Sequence, residues 1–349
     1  MADRLILKET SKKKETNMVT NKQRLGVGLA HSKLILIGEH SVVYQKPAIA
    51  LPFEAVFSEV KVEPSNGAVT LASHFYNGKL AQLPDKLQGL RHVIEKACHI
   101  NQQPVKDFKL TLTSTIPIGR GLGSSASIAA SLARGIFDYF KADLSLPVLR
   151  ELVDVSETYA HGTPSGIDRE AVISDEPIWF IKDQAVEPIE VKEPLNIIVA
   201  DTGRIGDTHA AVSAVNARRQ SEPEVTNQLL EELEKLTEDA RTLLKTGDLK
   251  ALGHTLTTSH EKLKALGVSD EGLDRYVDLS LSNGAVGAKL TGGGRGGCMF
   301  ALTASTEQAL AVEQALLKDG AKETWYIQLT NGEKTDEKNS TCTHEYRSY

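Results

Sequence analysis

Cysteine, excess positive charge and long apolar runs are all scarce in this 349-residue chain. Its three cysteines, Cys98, Cys298 and Cys342, are odd in number and widely spaced, with no CxxC. That excludes a paired disulfide framework and fits a reduced, cytoplasmic protein. No segment approaches the ~18 consecutive apolar residues of a membrane-spanning helix, so no membrane partner is expected. Near the start, Leu5-Ile6-Leu7 precedes Lys12, Lys13 and Lys14, the wrong order and length for a secretory signal. With 40 Lys+Arg against 46 Asp+Glu the net charge is −6. A nucleic-acid partner is therefore not expected either.

What is present is enough chain for two ordinary domains. Residues 1–22 and 331–349 are polar and lack apolar periodicity, which predicts loosely ordered ends. Between them strand and helix patterns alternate, with no internal repeat. Phe108, Leu110 and Leu112 alternate with Lys109, Thr111 and Thr113, the period of a half-buried strand. Ile128, Leu132, Ile136 and Phe140 recur every fourth residue and predict a helix over about 124–141. Asn196 to Val199 reads as a buried strand, and Leu229, Leu230, Leu233, Leu236, Ala240, Leu243 and Leu244 mark one helical face. The last third reads helix, strand, glycine-rich loop, strand (298–302), helix, strand (325–329). The pattern predicts an α+β protein of two closely joined domains, 23–190 and 191–330.

Four stretches carry chemistry. Pro117-Ile118-Gly119-Arg120-Gly121-Leu122-Gly123-Ser124-Ser125-Ala126 lies between a strand and a helix. Its glycines allow positive φ and close ligand approach, and the helix N-terminus behind them offers free N–H groups to an anion. Ser124 and Ser125 could cap that helix, contact phosphate or help hold Mg²⁺. The spacing fits neither a Walker P-loop nor a dinucleotide fingerprint, and a plain glycine-rich turn is the alternative. In the second stretch, Glu157 near a helix end and Asp168 beyond Gly162-Thr163-Pro164-Ser165-Gly166 could converge, one holding a metal and the other accepting a proton. Two solvated acids flanking a turn would look the same. The third stretch, Lys289-Leu290-Thr291-Gly292-Gly293-Gly294-Arg295-Gly296-Gly297-Cys298, has more glycine than a hairpin needs. It would let a phosphate, or another backbone, come close. The fourth runs from Lys33 through an apolar strand to Gly38-Glu39-His40, where ordinary polar strand ends are the alternative.

In order and separation these stretches resemble the GHMP kinases over about Gly26 to Leu329. Gly38-Glu39-His40-Ser41-Val42-Val43-Tyr44 and Thr163-Pro164-Ser165-Gly166-Ile167-Asp168 are similar to the mevalonate kinases among them. Two departures stand out: Gly28 to Ser32 lacks the Pro-Gly that often precedes the motif lysine, and Arg295 occupies a position where a small residue is usual. The resemblance implies a two-domain fold. Its N-terminal, ATP-binding domain would be like ribosomal protein S5 domain 2, and its C-terminal domain would be ferredoxin-like.

It also implies Asp168 as catalytic base with Lys33 beside it, and Ser125 and Glu157 as Mg²⁺ ligands. Residues Pro117 to Ala126 would bind nucleotide phosphate, including Gly119, Arg120, Gly121, Leu122, Gly123 and Ser124. Glu39, His40, Ser165 and Gly293 would contact the acceptor. The implied reaction moves a phosphoryl group from ATP to the mevalonate 5-hydroxyl, in a plausible homodimer. Arg204 and Lys22 are candidates to pair the acceptor's carboxylate. Another small-molecule kinase of the superfamily, such as a phosphomevalonate kinase, or a non-catalytic ligand-binding member, are the alternatives.

Overall fold

The structure, a computed structural model, describes residues 25–162 and 164–330; the two polar ends, with Lys22 and Cys342, lie outside the described residues. The first sheet is built on a long antiparallel pair, β1 (Gly26–Ile37) and β2 (Ala48–Ala68). On β2 also pair β5 (Lys106–Ser114) and β6 (Ile178–Phe180), which extend to β3 (Thr70–Ala72), β4 (Asn77–Lys79) and β7 (Glu187–Pro188). Every pairing is antiparallel except that of β3 with β5. The predicted alternation of Phe108 to Leu112 falls on β5, whose Phe108, Leu110 and Leu112 are all buried.

Helices α1 (Gln88–Ile100), α2 (Ser124–Phe140), α3 (Leu146–His161) and α4 (Ile167–Ile173) belong to this half of the chain. The stripe expected on α2 is the one the fold uses: Ile128, Leu132 and Ile136 enter a core with Val60, Leu110, Ile94 and Leu152, and Phe140 packs at its edge. Burial of such side chains contributes roughly 1.5–3 kcal/mol each.

The second sheet runs β11 (Glu323–Leu329), β8 (Leu195–Asp201), β10 (Cys298–Thr303), β9 (Gly287–Thr291), all antiparallel. Counted within this half, the order is fourth, first, third, second, the ferredoxin-like arrangement. Four helices stand between β8 and β9: α5 (Thr208–Ser221), α6 (Pro223–Thr246), α7 (Leu249–Leu266) and α8 (Glu271–Ser282). Helix α9 (Thr306–Lys318) links β10 to β11.

One continuous core crosses between the sheets. Leu34, Leu36, Leu51 and Phe53 of the first pack with Ile197, Val199, Phe300 and Trp325 of the second. Phe53 and Trp325 meet edge to face at 6.1 Å, a geometry that adds to their area burial. The two halves are therefore joined by shared apolar contacts, and motifs carried on different halves meet at fixed positions. No helix of the described residues is long and apolar enough to cross a membrane.

Candidate active site

Strand β1 delivers Lys33, whose long apolar stem is buried and whose side chain is 2% exposed. Its Nζ lies 2.8 Å from Oδ1 of Asp168, the second residue of α4, which is 34% exposed. Glu157, on the last turns of α3, is 3% exposed and sits close enough to Asp168 to feel its charge. Burial first, then the Asp168 charge, pushes the Glu157 carboxyl up to about 7, against a hydrogen bond from Ser125 that lowers it. Its Oε1 is buried with no hydrogen-bond partner. The four residues expected to meet are thus together, although they come from four separate segments.

The stretch 117–123 is an irregular loop in which Gly119, Gly121 and Gly123 have φ of 71°, 78° and 73°. Gly123 is the N-cap of α2, so no side chain closes the first turn. The capping reading of the two serines is therefore set aside, and the helix N-terminus keeps its N–H groups and positive end free for an anion. Gly121 lines a cleft of about 700 Å³ that also takes in Lys33, Glu157 and Asp168. Leu122 and Ala126 are buried in the protein, and Leu122 O accepts from the Lys33 N–H at 3.3 Å. Arg120 does not line the cleft. Its Nε lies 2.7 Å from Asp201 Oδ1 and its Nη2 is 2.9 Å from Gly203 O, so its guanidinium braces the loop against the second sheet.

The glycines of the third motif serve backbone contact first. A Cβ on Gly292 would come within 2.9 Å of the Gly121 Cα, so the two glycine loops touch main chain to main chain. Gly292 and Gly293 line the cleft where they do so. Arg295 is exposed, its Nε and Nη2 each 3.1 Å from Gly267 O, and it does not line the cleft.

Glu39 and His40 follow β1 at the cleft wall. His40 Nε2 is 3.0 Å from Gly293 O, and burial holds its imidazole down at about 4. A neutral ring that donates Nε2–H to a carbonyl leaves Nδ1 as an acceptor, and Nδ1 has no partner. Glu39 forms a fully buried ion pair with Lys289 of β9 through Oε1, while Oε2 is unpartnered. Burial pushes the carboxyl up and the ammonium down, and their mutual attraction opposes both shifts.

Sequence reasoning gave Lys289 no role, and it also missed several residues that line the cleft. Lys182, Thr208, His209, Val212 and Ser213 line the cleft together with Ser165 and Gly166. Nothing in a motif marks them. Arg204, expected as a carboxylate partner, pairs with Asp270 and does not line the cleft. Lys182 has no ion pair or hydrogen bond among the described residues.

The models of the GHMP kinases N terminal domain and the GHMP kinases C terminal match residues 87–174 and 240–322. A mevalonate kinase of Pyrococcus horikoshii is 33% identical over 303 residues, covering 81% of this chain and 90% of that protein. The chain belongs to the GHMP kinase family. A mevalonate kinase of Pyrococcus abyssi is 31% identical, covering 82% of this chain and 91% of its own. The crystal structure of L. major mevalonate kinase in complex with R-mevalonate is similar with a TM-score of 0.76 and 26% identity. It covers 87% of this chain and 95% of the solved one.

Whether this member of the family can hold a divalent cation is testable on its own donors. Among the described residues no cluster of three or more His, Cys, Asp or Glu side chains forms a metal cage. Mg²⁺ needs few protein ligands when phosphate oxygens and water complete its shell. Glu157, whose carboxyl Ser125 reaches and whose Oε1 has no hydrogen-bond partner among the described residues, fits that requirement.

Proposed function

We propose that this chain transfers the γ-phosphoryl group of ATP to the 5-hydroxyl of mevalonate. The observation that carries this reading is the Lys33–Asp168 pair standing with Glu157 in one cleft, Glu157 being in turn within reach of Ser125. The mevalonate kinase relatives at 33% and 31% identity support the choice of acceptor.

Phosphoryl transfer asks a protein for alignment and for stabilisation of charge on the transferring group. The N–H groups of the 119–125 loop and the α2 N-terminus hold the nucleotide phosphates. Asp168 Oδ accepts the proton of the attacking hydroxyl, a contribution of ~10²–10⁴-fold for a placed base. Lys33 orients that carboxylate and faces the incoming negative charge. Ser125 and Glu157 would hold Mg²⁺, which supplies neutralisation of phosphate charge when bound.

The acceptor end of the cleft matches a small, methyl-bearing hydroxy acid. Val42, Val43 and Val212 give it apolar surface, and His40 Nδ1 and Glu39 Oε2 offer acceptors for hydroxyls. The acceptor's carboxylate needs a cation, and Lys182 lines the cleft with no ion pair among the described residues. Single-turnover kinetics of Asp168→Asn tests the base. The variant binds ATP normally and transfers phosphate at least about 100-fold more slowly; transfer at the wild-type rate contradicts the assignment.

A further inference from the structure

Helix α4, which carries Asp168, is only seven residues long. A helix of that length has no independent stability, so its position depends on what it is tied to. Ile167, Ala171, Val172 and Ile173 bury its apolar side; the polar tie is made by the two residues that follow Asp168, and neither of them lines the cleft.

Glu170 is 4% exposed, and both of its oxygens accept hydrogen bonds. Arg150 gives Nε at 3.0 Å to each oxygen and Nη2 at 2.9 Å to Oε2. Arg169 gives its Nε to Oε1 at 2.8 Å and its Nη1 to Asp154. Arg150 and Asp154 belong to α3, and Glu157 follows Asp154 by one turn on that helix. Two guanidiniums and two carboxylates therefore make a charge-balanced cluster that stitches α4 onto α3.

A lone buried carboxylate needs one cation; Glu170 has two, both in directional contact. Arginine is the residue whose planar fork can fix an orientation as well as neutralise a charge. We propose that Arg150, Arg169 and Glu170 are positioning residues that hold Asp168 in register with Lys33 and Glu157 for phosphoryl transfer. This rests on the reading of Asp168 as the base. The clamp touches no reacting atom, so its loss acts on alignment, and misplacement by ~1 Å costs on the order of 10²-fold in rate.

The test uses the full chain with Mg-ATP and mevalonate, comparing Glu170→Gln, Arg150→Lys and Asp168→Asn with the wild type. Glu170→Gln should lower kcat at least tenfold while both KM values stay within twofold. Arg150→Lys keeps the charge but loses the fork, and should fall between that variant and the wild type. Arg150 is 36% exposed, so its lysine variant carries the test, with an expected threefold or greater loss, if Glu170→Gln does not fold. A drop in melting temperature with unchanged kcat per folded molecule, or a raised KM with unchanged kcat, overturns the clamp. Full turnover by Asp168→Asn would overturn the base assignment instead. An inactive Asp168→Asn beside clamp variants with wild-type kcat would sink the clamp alone.

Discussion

Arg120 lies in the middle of the glycine-rich loop 117–123, yet its Nε lies 2.7 Å from Asp201 Oδ1, at the end of β8 in the other sheet. The pair is buried on both sides, with side chains 6% and 1% exposed. A loop with three positive-φ glycines has little stiffness of its own. Arg120, the Gly206 N–H on Gly119 O at 2.9 Å and the Gly121–Gly292 contact supply it from outside.

Asp201→Asn therefore leaves a buried guanidinium half-paired. Removing one partner of such a pair typically costs about 3–5 kcal/mol. The variant should melt at lower temperature and bind ATP several-fold more weakly, with the mevalonate KM less affected. Calorimetric melting and ATP titration check both; ATP affinity equal to wild type would show that the brace does not shape the loop.

Glu157 sets a pH-dependent balance. Its folded value of about 7 stands above the ordinary 4.5, so folding favours the protonated form. In the metal-free protein the associated stability is complete below about 4.5 and is lost as pH rises through 7. Glu157→Gln, which cannot ionise, should therefore be the more stable chain at pH 8 in EDTA, by at most about 3 kcal/mol. The difference should close by about pH 4.5. The same variant should need more Mg²⁺ for half-maximal turnover. Melting curves at the two pH values and a Mg²⁺ titration measure these effects; equal melting at pH 8 would show that Glu157 carries no such penalty.

Lys182 gives a test of acceptor recognition. A hydrogen bond to a charged group contributes about 1.5–3 kcal/mol. Lys182→Met should accordingly raise the KM for mevalonate roughly 10- to 100-fold and leave the KM for ATP within twofold. Steady-state kinetics with each substrate varied in turn distinguishes this from general damage, which would move both.

The Glu39–Lys289 pair makes a further prediction. Lys289→Met alone strands a carboxylate that already has one unpartnered oxygen. It should destabilise the chain by about 3–5 kcal/mol, while Glu39→Gln/Lys289→Met together should recover much of that loss. Denaturant unfolding of the single and double variants measures the coupling, and strictly additive losses would contradict it.

Much of this was legible in the sequence because each motif is local. The period of Ile128, Leu132 and Ile136 gives α2, and glycines before Ser124 give the loop that opens it. Ser125 and Asp168 stand beside a glycine-rich or turn signal, Glu157 just before one and Lys33 in the strand that leads to Gly38-Glu39-His40, and they do meet. What escaped depends on distant partners. Arg120 sits among the glycines of the 117–123 loop, and its direction is set by an aspartate 81 positions later. Lys289 looks like the polar start of a strand until Glu39, 250 positions earlier, is placed against it. Lys182 follows the short strand β6 with no motif around it. Ser124 and Ser125 suggest capping, but the cap position falls one residue earlier, on Gly123.

The most direct measurement is ADP release with Mg-ATP and mevalonate, phosphomevalonate, galactose or homoserine, run in parallel on the wild type and Asp168→Asn. The account predicts turnover with mevalonate, little or none with the other three, and at least about a 100-fold loss in the variant. Turnover with another acceptor and none with mevalonate would contradict it.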